Sequence, residues 1–341
     1  MLRTKKSAGA TPLDGVDVAL FDLDGVVYKG DGAIAHAIES INAAASTVRV
    51  GYLTNNASRT DASVAEHLTS LGLSVAPGDV VTSPQAGIRV LKSLIPDGAT
   101  VMVVGGEGIT YELEKAGYAI TRSALDAPAA VIQGFAPSVG WEQLAEASFA
   151  LHAKDGEPEV PWVATNTDWT IPVARGIAPG NGTLVSAVHT AIGRLPLVAG
   201  KPEIPMFEVA QDRFGAQNAI VVGDRLDTDI LGANRAGIAS VLVLTGIDQA
   251  KQVLAAVPEQ RPKFILTDLR QLLEPYPETV ETRKGEAVLT TVGDCVVSRT
   301  AERLTVVKQG SQINRLRAGA AAIWSSGLTI YGLRVPAELY S

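Results

Sequence analysis

A chain of 341 residues with 46% hydrophobic and 19% charged residues can fill two or three domains with a large core, which excludes extensive disorder. Its net charge of -7 excludes the basic footprint of phosphate-backbone binding, so nucleic acid is not an expected partner, although a local cationic site can still take a small anion. A single cysteine, Cys295, excludes an intramolecular disulfide and a cysteine zinc site, and no run is long enough to span a bilayer.

The opening MLRTKKSAGATPLDG is basic and lacks the apolar stretch of a secretory signal, so a cytoplasmic chain is expected. The first predicted strand, 16–21, runs into FDLDG. In an extended segment Asp22 and Asp24 point to one face, where two like charges repel unless something positive lies between them. From this stretch alone an Asp-Gly turn with a solvated neighbour is an equal reading. The second predicted strand, 48–53, ends in TNNAS, and a helix with Val64, Ala65, Leu68 and Leu71 on one face follows over 61–71. Strands are then expected at 100–105, 129–134 and 162–166, with a helix over 141–153. Glycines 106 and 108 of VVGGEG begin a dinucleotide-like loop, but Tyr111 occupies the third glycine position, so a strand-to-helix turn is expected. The run PLVAGKPE and the strands 218–223 and 240–246 complete the alternation, which is that of βαβ units around a parallel sheet. After Tyr276 the texture changes to short β-like runs, AVLTTVGDCVVS and RLTVV, and a packed amphipathic helix in RLRAGAAAIWSS.

Four apolar runs end in polar clusters: ALFDLDG, GYLTNNAS, PLVAGKPE and IVVGDRLDTD. In open parallel sheets, ligands bind at the carboxyl ends of strands. If all four strands lie in one sheet, the region between the second and third clusters is an insertion. The expected division is a core at 1–83 and 196–275, an α/β cap at 84–195 and a small module at 276–341.

Together the clusters describe a phosphoryl-transfer site. Asp22 is placed as a carboxylate nucleophile, and Asp24 can protonate the leaving alkoxide and deprotonate the attacking water. Thr54, with Asn55 and Asn56 behind it, offers a hydroxyl and backbone N–H groups to phosphate oxygens. Lys201 offsets the charge of nucleophile and phosphate. Asp224 is a hard oxygen ligand suited to Mg²⁺, and Asp229 can hydrogen-bond Lys201 or a metal-bound water. Mg²⁺ held by Asp22 and Asp224 would remove the carboxylate repulsion. The histidines at 36, 67, 152 and 189 show no ligand spacing. In the cap, NTDWT and IAPGNGT are the polar patches most like a substrate rim, with Asp168 the foremost contact.

These residues, in this order, resemble the haloacid dehalogenase superfamily: DLDGV for its nucleophile motif, LTNNASR for the second, GKPE for the lysine and GDRLDTD for the acidic motif. The large insertion before GKP is similar to the branch with an α/β cap that includes 4-nitrophenyl-, phosphoglycolate-, pyridoxal-phosphate and actinobacterial glycerol-3-phosphate phosphatases. The resemblance, over about residues 16–275, implies a Rossmann-like doubly wound core and an Mg²⁺-dependent phosphomonoesterase working through an aspartyl phosphate. It also implies the backbone carbonyl of Asp24 as a further metal ligand. The implied substrate is a small phosphometabolite, glycerol 3-phosphate first, with pyridoxal phosphate or phosphoglycolate as alternatives. A homodimer is allowed, and no membrane or nucleic-acid partner is expected. A phosphomutase would have to shield the phospho-enzyme from water. A phospho-acceptor module is disfavoured by Asp24, and a dehalogenase normally lacks that second aspartate. The C-terminal piece resembles an acetyltransferase remnant, but Leu316 stands where its acetyl-CoA loop needs Gln or Arg, so a packing or solubility role is expected.

Overall fold

The computed structural model describes residues 9–152, 156, 158–173 and 175–341, so the start of the basic leader and the expected helix end at Ala153 lie outside the described residues. The described residues form two compact units: those up to 29, 33–49 and 218–341 make the first, and 30–32 with those between 50 and 217 the second.

In the first unit, the strands Phe264–Leu266, Ala239–Val243, Ala219–Gly223 and Val18–Asp22 lie side by side in that order, all parallel. Their sequences, FIL, ASVLV, AIVVG and VALFD, are almost continuously apolar and buried, as strands covered on both faces must be. Phe21 pairs with Val222, so the residues that follow, Asp22 on one strand and Gly223–Asp224 on the other, come out at the same carboxyl edge.

The C-terminal residues of this unit form an antiparallel meander of Thr279–Lys284, Ala287–Val292, Cys295–Thr300 and Arg303–Lys308. Against it lies the helix Gln312–Trp324, which buries Leu316, Ala320 and Ile323. These side chains share one core with Val292, Cys295, Val297 and Leu304 of the meander, with Leu242 and Ile265 of the parallel strands and with Val253 of the helix Ala250–Ala255. The first meander strand, TVETRK, is exposed along its whole length, and its charges suit a sheet edge that must not recruit another strand. That polarity hides it from a search for apolar runs.

In the second unit, Tyr52, Leu53 and Thr54 pair in parallel with Val80–Thr82, setting Thr54 opposite Thr82. A separate parallel sheet has the order Leu197–Val198, Trp162–Ala164, Ala130–Gln133, Thr100–Val104, Ala119–Thr121. One face packs Met102, Val131 and Trp162 against Ala147, Leu151, Val185 and Val188 of the helices Trp141–Leu151 and Asn181–Ile192. The turn after Val104 opens the helix Glu107–Lys115, as the failed dinucleotide fingerprint suggests.

This sheet corrects one expectation. The run before GKPE was grouped with the three other strand ends, yet Leu197–Val198 pairs with Trp162–Ala164 and is the edge of the second unit's sheet. Two residues of strand are too short to show their partner in sequence, and polar residues at a strand end say nothing about which sheet the strand joins.

Candidate active site

In the first unit, Asp22, Asp224 and Asp229 each offer a carboxylate oxygen, and these oxygens lie within 4.8 Å of one another. Asp22 closes its strand half-buried, while Asp224 and Asp229 are each 1% exposed. Three such carboxylates repel strongly in a low dielectric, so the arrangement calls for a cation. The donors are all hard oxygens, which suits Mg²⁺ or Ca²⁺ and not a soft metal.

Glycines make room for this cluster. A Cβ at Gly25 or Gly246 would collide with the Asp224 carboxylate, and one at Gly223 with the side chain of Asp229. Gly25 also has φ +86°, a conformation that favours glycine. Asp224 Oδ2 accepts the Ile247 N–H at 2.7 Å, and Asp229 Oδ2 accepts the Arg225 N–H at 3.2 Å. Asp24 lies exposed at the turn, where the Gly25 N–H donates to the Tyr28 carbonyl and the Tyr28 hydroxyl reaches Asp24 Oδ2 at 3.5 Å. Nearby, burial raises the Asp248 carboxyl above its usual range, opposed by the Leu226 N–H that it accepts at 2.6 Å.

In the second unit a different group gathers around Asn55. Its Oδ1 accepts the Lys201 N–H at 2.9 Å, and its Nδ2 donates to the Lys201 carbonyl at 3.1 Å and to both Asp168 oxygens at 3.2 Å. The Asn55 carbonyl accepts Ser83 Oγ and Asn166 Nδ2, each at 2.7 Å. Gly200 is required beside it, because a Cβ there would crowd the Asn55 amide and the Thr165 carbonyl. Lys201 is 3% exposed, follows this glycine and is joined to Pro202 by a cis peptide. Thr54 is equally buried, and its Oγ1 accepts the Asn56 N–H at 3.1 Å. The Asn56 carboxamide caps the following turn through the Ser58 N–H and hydroxyl.

Of the expected residues, Asp22, Asp224 and Asp229 are thus brought together in one unit, and Thr54, Asn55, Lys201 and Asp168 in the other. Asn181 is fully buried, donating to the Asn166 carbonyl at 2.6 Å, so it supports the loop before Asp168 and is no part of an exposed rim. Asn166 opens the NTDWT patch, whereas Ser83 and the segment Thr245–Asp248 were not singled out from the sequence. For the last there was a signal: TGID is one more polar cluster ending a buried strand.

A family model described as haloacid dehalogenase-like hydrolase matches residues 19–119, and a HAD-hydrolase-like one matches residues 198–272. D-glycerol 3-phosphate phosphatase of Mycobacterium tuberculosis is 39% identical over 91% of this chain and 86% of its own length. Glycerol-3-phosphate phosphatase of Gallus gallus is 37% identical over 71% of this chain and 83% of its own. The crystal structure of a glycerol phosphate phosphatase from Mycobacterium tuberculosis in complex with magnesium superposes with a TM-score of 0.80 at 37% identity, covering 94% of each chain.

Proposed function

The chain belongs to the haloacid dehalogenase-like hydrolases and is a phosphatase, and from that premise we propose an Mg²⁺-dependent phosphomonoesterase that works through an aspartyl phosphate on Asp22. The observation that carries this reading is the carboxylate trio of half-buried Asp22 and buried Asp224 and Asp229, whose oxygens lie within 4.8 Å. Asp22 and Asp224 hold the cation, with the Asp24 backbone carbonyl as a further ligand, and Asp229 supports the site. When bound, Mg²⁺ neutralises charge on the carboxylates and on the phosphoryl group during transfer.

The Asp22 carboxylate attacks phosphorus, and the bond from phosphorus to the ester oxygen breaks. Asp24 gives its proton to the departing alkoxide. It then takes a proton from a water that attacks the aspartyl phosphate, releasing inorganic phosphate and restoring Asp22. Its exposure and the Tyr28 hydroxyl beside it fit a group that exchanges protons with solvent. Thr54 and the backbone N–H groups behind it take phosphate oxygens, and the Lys201 ammonium balances their charge. Asn55 serves by fixing both backbone groups of Lys201, since its amide is engaged there and on Asp168. Residues 84–195 act as the cap over small substrates.

The substrate is a small polyol phosphate, glycerol 3-phosphate first, a reading supported by relatives of that name and by the polar Asp168. Pyridoxal phosphate is the second reading, favoured by the Trp169 ring, which is 66% exposed and able to cover one face of a pyridine. The test compares kcat/KM for glycerol 3-phosphate, pyridoxal phosphate and 2-phosphoglycolate side by side in Mg²⁺. Glycerol 3-phosphate is expected to lead; if it came last by about tenfold or more, the substrate reading would be wrong while the phosphatase stood.

A further inference from the structure

The strand Ala239–Val243 delivers the segment Thr245–Asp248 to the carboxyl edge, where each residue meets the support of the carboxylate trio. Thr245 Oγ1 donates to the Gly25 carbonyl at 2.7 Å, in the loop just after Asp24. Gly246 lies so close to the Asp224 carboxylate that no side chain fits between them. The Ile247 N–H binds Asp224 Oδ2 at 2.7 Å, and the Asp248 N–H binds the Asp224 carbonyl at 3.1 Å. Asp248 then turns its carboxylate back onto the Leu226 N–H at 2.6 Å, at the start of the helical turn that carries Asp229. Gln249 ties the segment to itself, with Nε2 donating to the carbonyls of Leu244 and Gly246 at 3.2 and 2.9 Å.

We infer that Thr245 and Asp248 are positioning residues for the cation site, acting through the Gly25 loop and through Asp224 and Leu226; this rests on the reading of Asp22, Asp224 and Asp229 as that site. A hydrogen-bonded strap holds one carboxylate by backbone and side chain together, so the ligand oxygens are set before the cation arrives. Losing such outer contacts typically costs 10–100-fold in metal affinity. Neither side chain is assigned to touch the cation, so its chemistry is tuned only through geometry.

The test is Mg²⁺ titration by calorimetry of the full chain, stripped with EDTA and free of phosphate, alongside thermal unfolding without metal. Asp248→Ala is expected to weaken Mg²⁺ binding by about tenfold or more, whereas Asp248→Asn, whose amide oxygen still accepts the Leu226 N–H, stays within about threefold of the parent. Thr245→Val is expected to weaken binding and Thr245→Ser to restore it. This pair removes no carboxylate and decides the matter if Asp248→Ala does not fold. Parent-like binding by Thr245→Val or by a folded Asp248→Ala would overturn the inference, as would equal losses in Asp248→Ala and Asp248→Asn. A parent chain that bound no Mg²⁺ would overturn the cation-site reading itself and this inference with it.

Discussion

Asn55→Asp keeps the size of the side chain and replaces the amide nitrogen by an oxygen. In the parent that nitrogen donates to the Lys201 carbonyl at 3.1 Å and to the Asp168 carboxylate at 3.2 Å. The substitution therefore sets an acceptor against acceptors. Losing the charge-assisted hydrogen bond removes about 1.5–3 kcal/mol, and the abandoned Lys201 carbonyl about 1 kcal/mol more. Two half-exposed carboxylates in contact add roughly 1–2 kcal/mol of repulsion, nearer the aqueous limit than the buried one. The expected destabilisation is about 3.5–6 kcal/mol with both groups ionised. A proton on the introduced carboxyl restores a donor, so its folded pKa must lie above its unfolded one. A group raised in this way stabilises fully below its unfolded pKa and loses that stabilisation as pH rises through the folded value. The defect should therefore be smallest near pH 4, about the unfolded value of an aspartate, and large near pH 8, widening by about 1.4 kcal/mol for each unit by which the carboxyl is raised. Urea unfolding of parent and variant at both pH values measures it, and kcat/KM should fall in the same sense as the Lys201 backbone relaxes. A loss below about 0.5 kcal/mol, or one independent of pH, would refute the clamp.

Asp22→Asn should lower kcat by about 10⁴-fold or more and abolish acid-stable labelling of the chain by phosphate; normal turnover would sink the aspartyl-phosphate route. Ca²⁺ should compete with Mg²⁺ and inhibit, because it prefers more ligands and looser geometry, so a steady-state assay in which Ca²⁺ sustains full turnover would contradict the proposed site. Glu112, 7% exposed, receives the Gln85 amide at 2.9 Å, and burial raises its carboxyl above the ordinary value, opposed by the Gln85 hydrogen bond and by Lys115 and Arg213 and reinforced by Asp61. Its contribution to stability is thus fully present below its unfolded value of 4.5 and is lost as pH rises through the raised one. Glu112→Gln should flatten that decline, with a gain at neutral pH relative to acid, read by denaturant unfolding across the range.

The clustered carboxylates were legible because their placement is a local property. A buried parallel strand must be apolar along its length, so Asp22 after VALF and Asp224 after AIVVG mark where burial ends, and the carboxyl edge of a parallel sheet is where ligands bind. The spacing from Asp224 to Asp229 is likewise one turn of chain, and the two side chains meet in the folded unit. The meander strand Thr279–Lys284 was not legible, because an exposed edge carries no burial pattern.

Other features depended on distant segments meeting. Asn55 reads as a phosphate contact in TNNAS, yet its amide is directed to Lys201 and Asp168, 146 and 113 residues away. Side-chain amides can donate and accept in many directions, and only the packed chain selects the partners. The same holds for the Gln85 amide, which joins Asp61 to Glu112 across three helices. It holds again for Leu197–Val198, whose two residues cannot specify a sheet before Trp162–Ala164 is there to pair with them. Residue type and strand-end position by themselves pointed to the groups that we propose carry the chemistry. Tertiary structure alone decided which amides, glycines and neighbouring loops hold those groups in place, because that support comes from residues whose types are common and whose meaning is their partner.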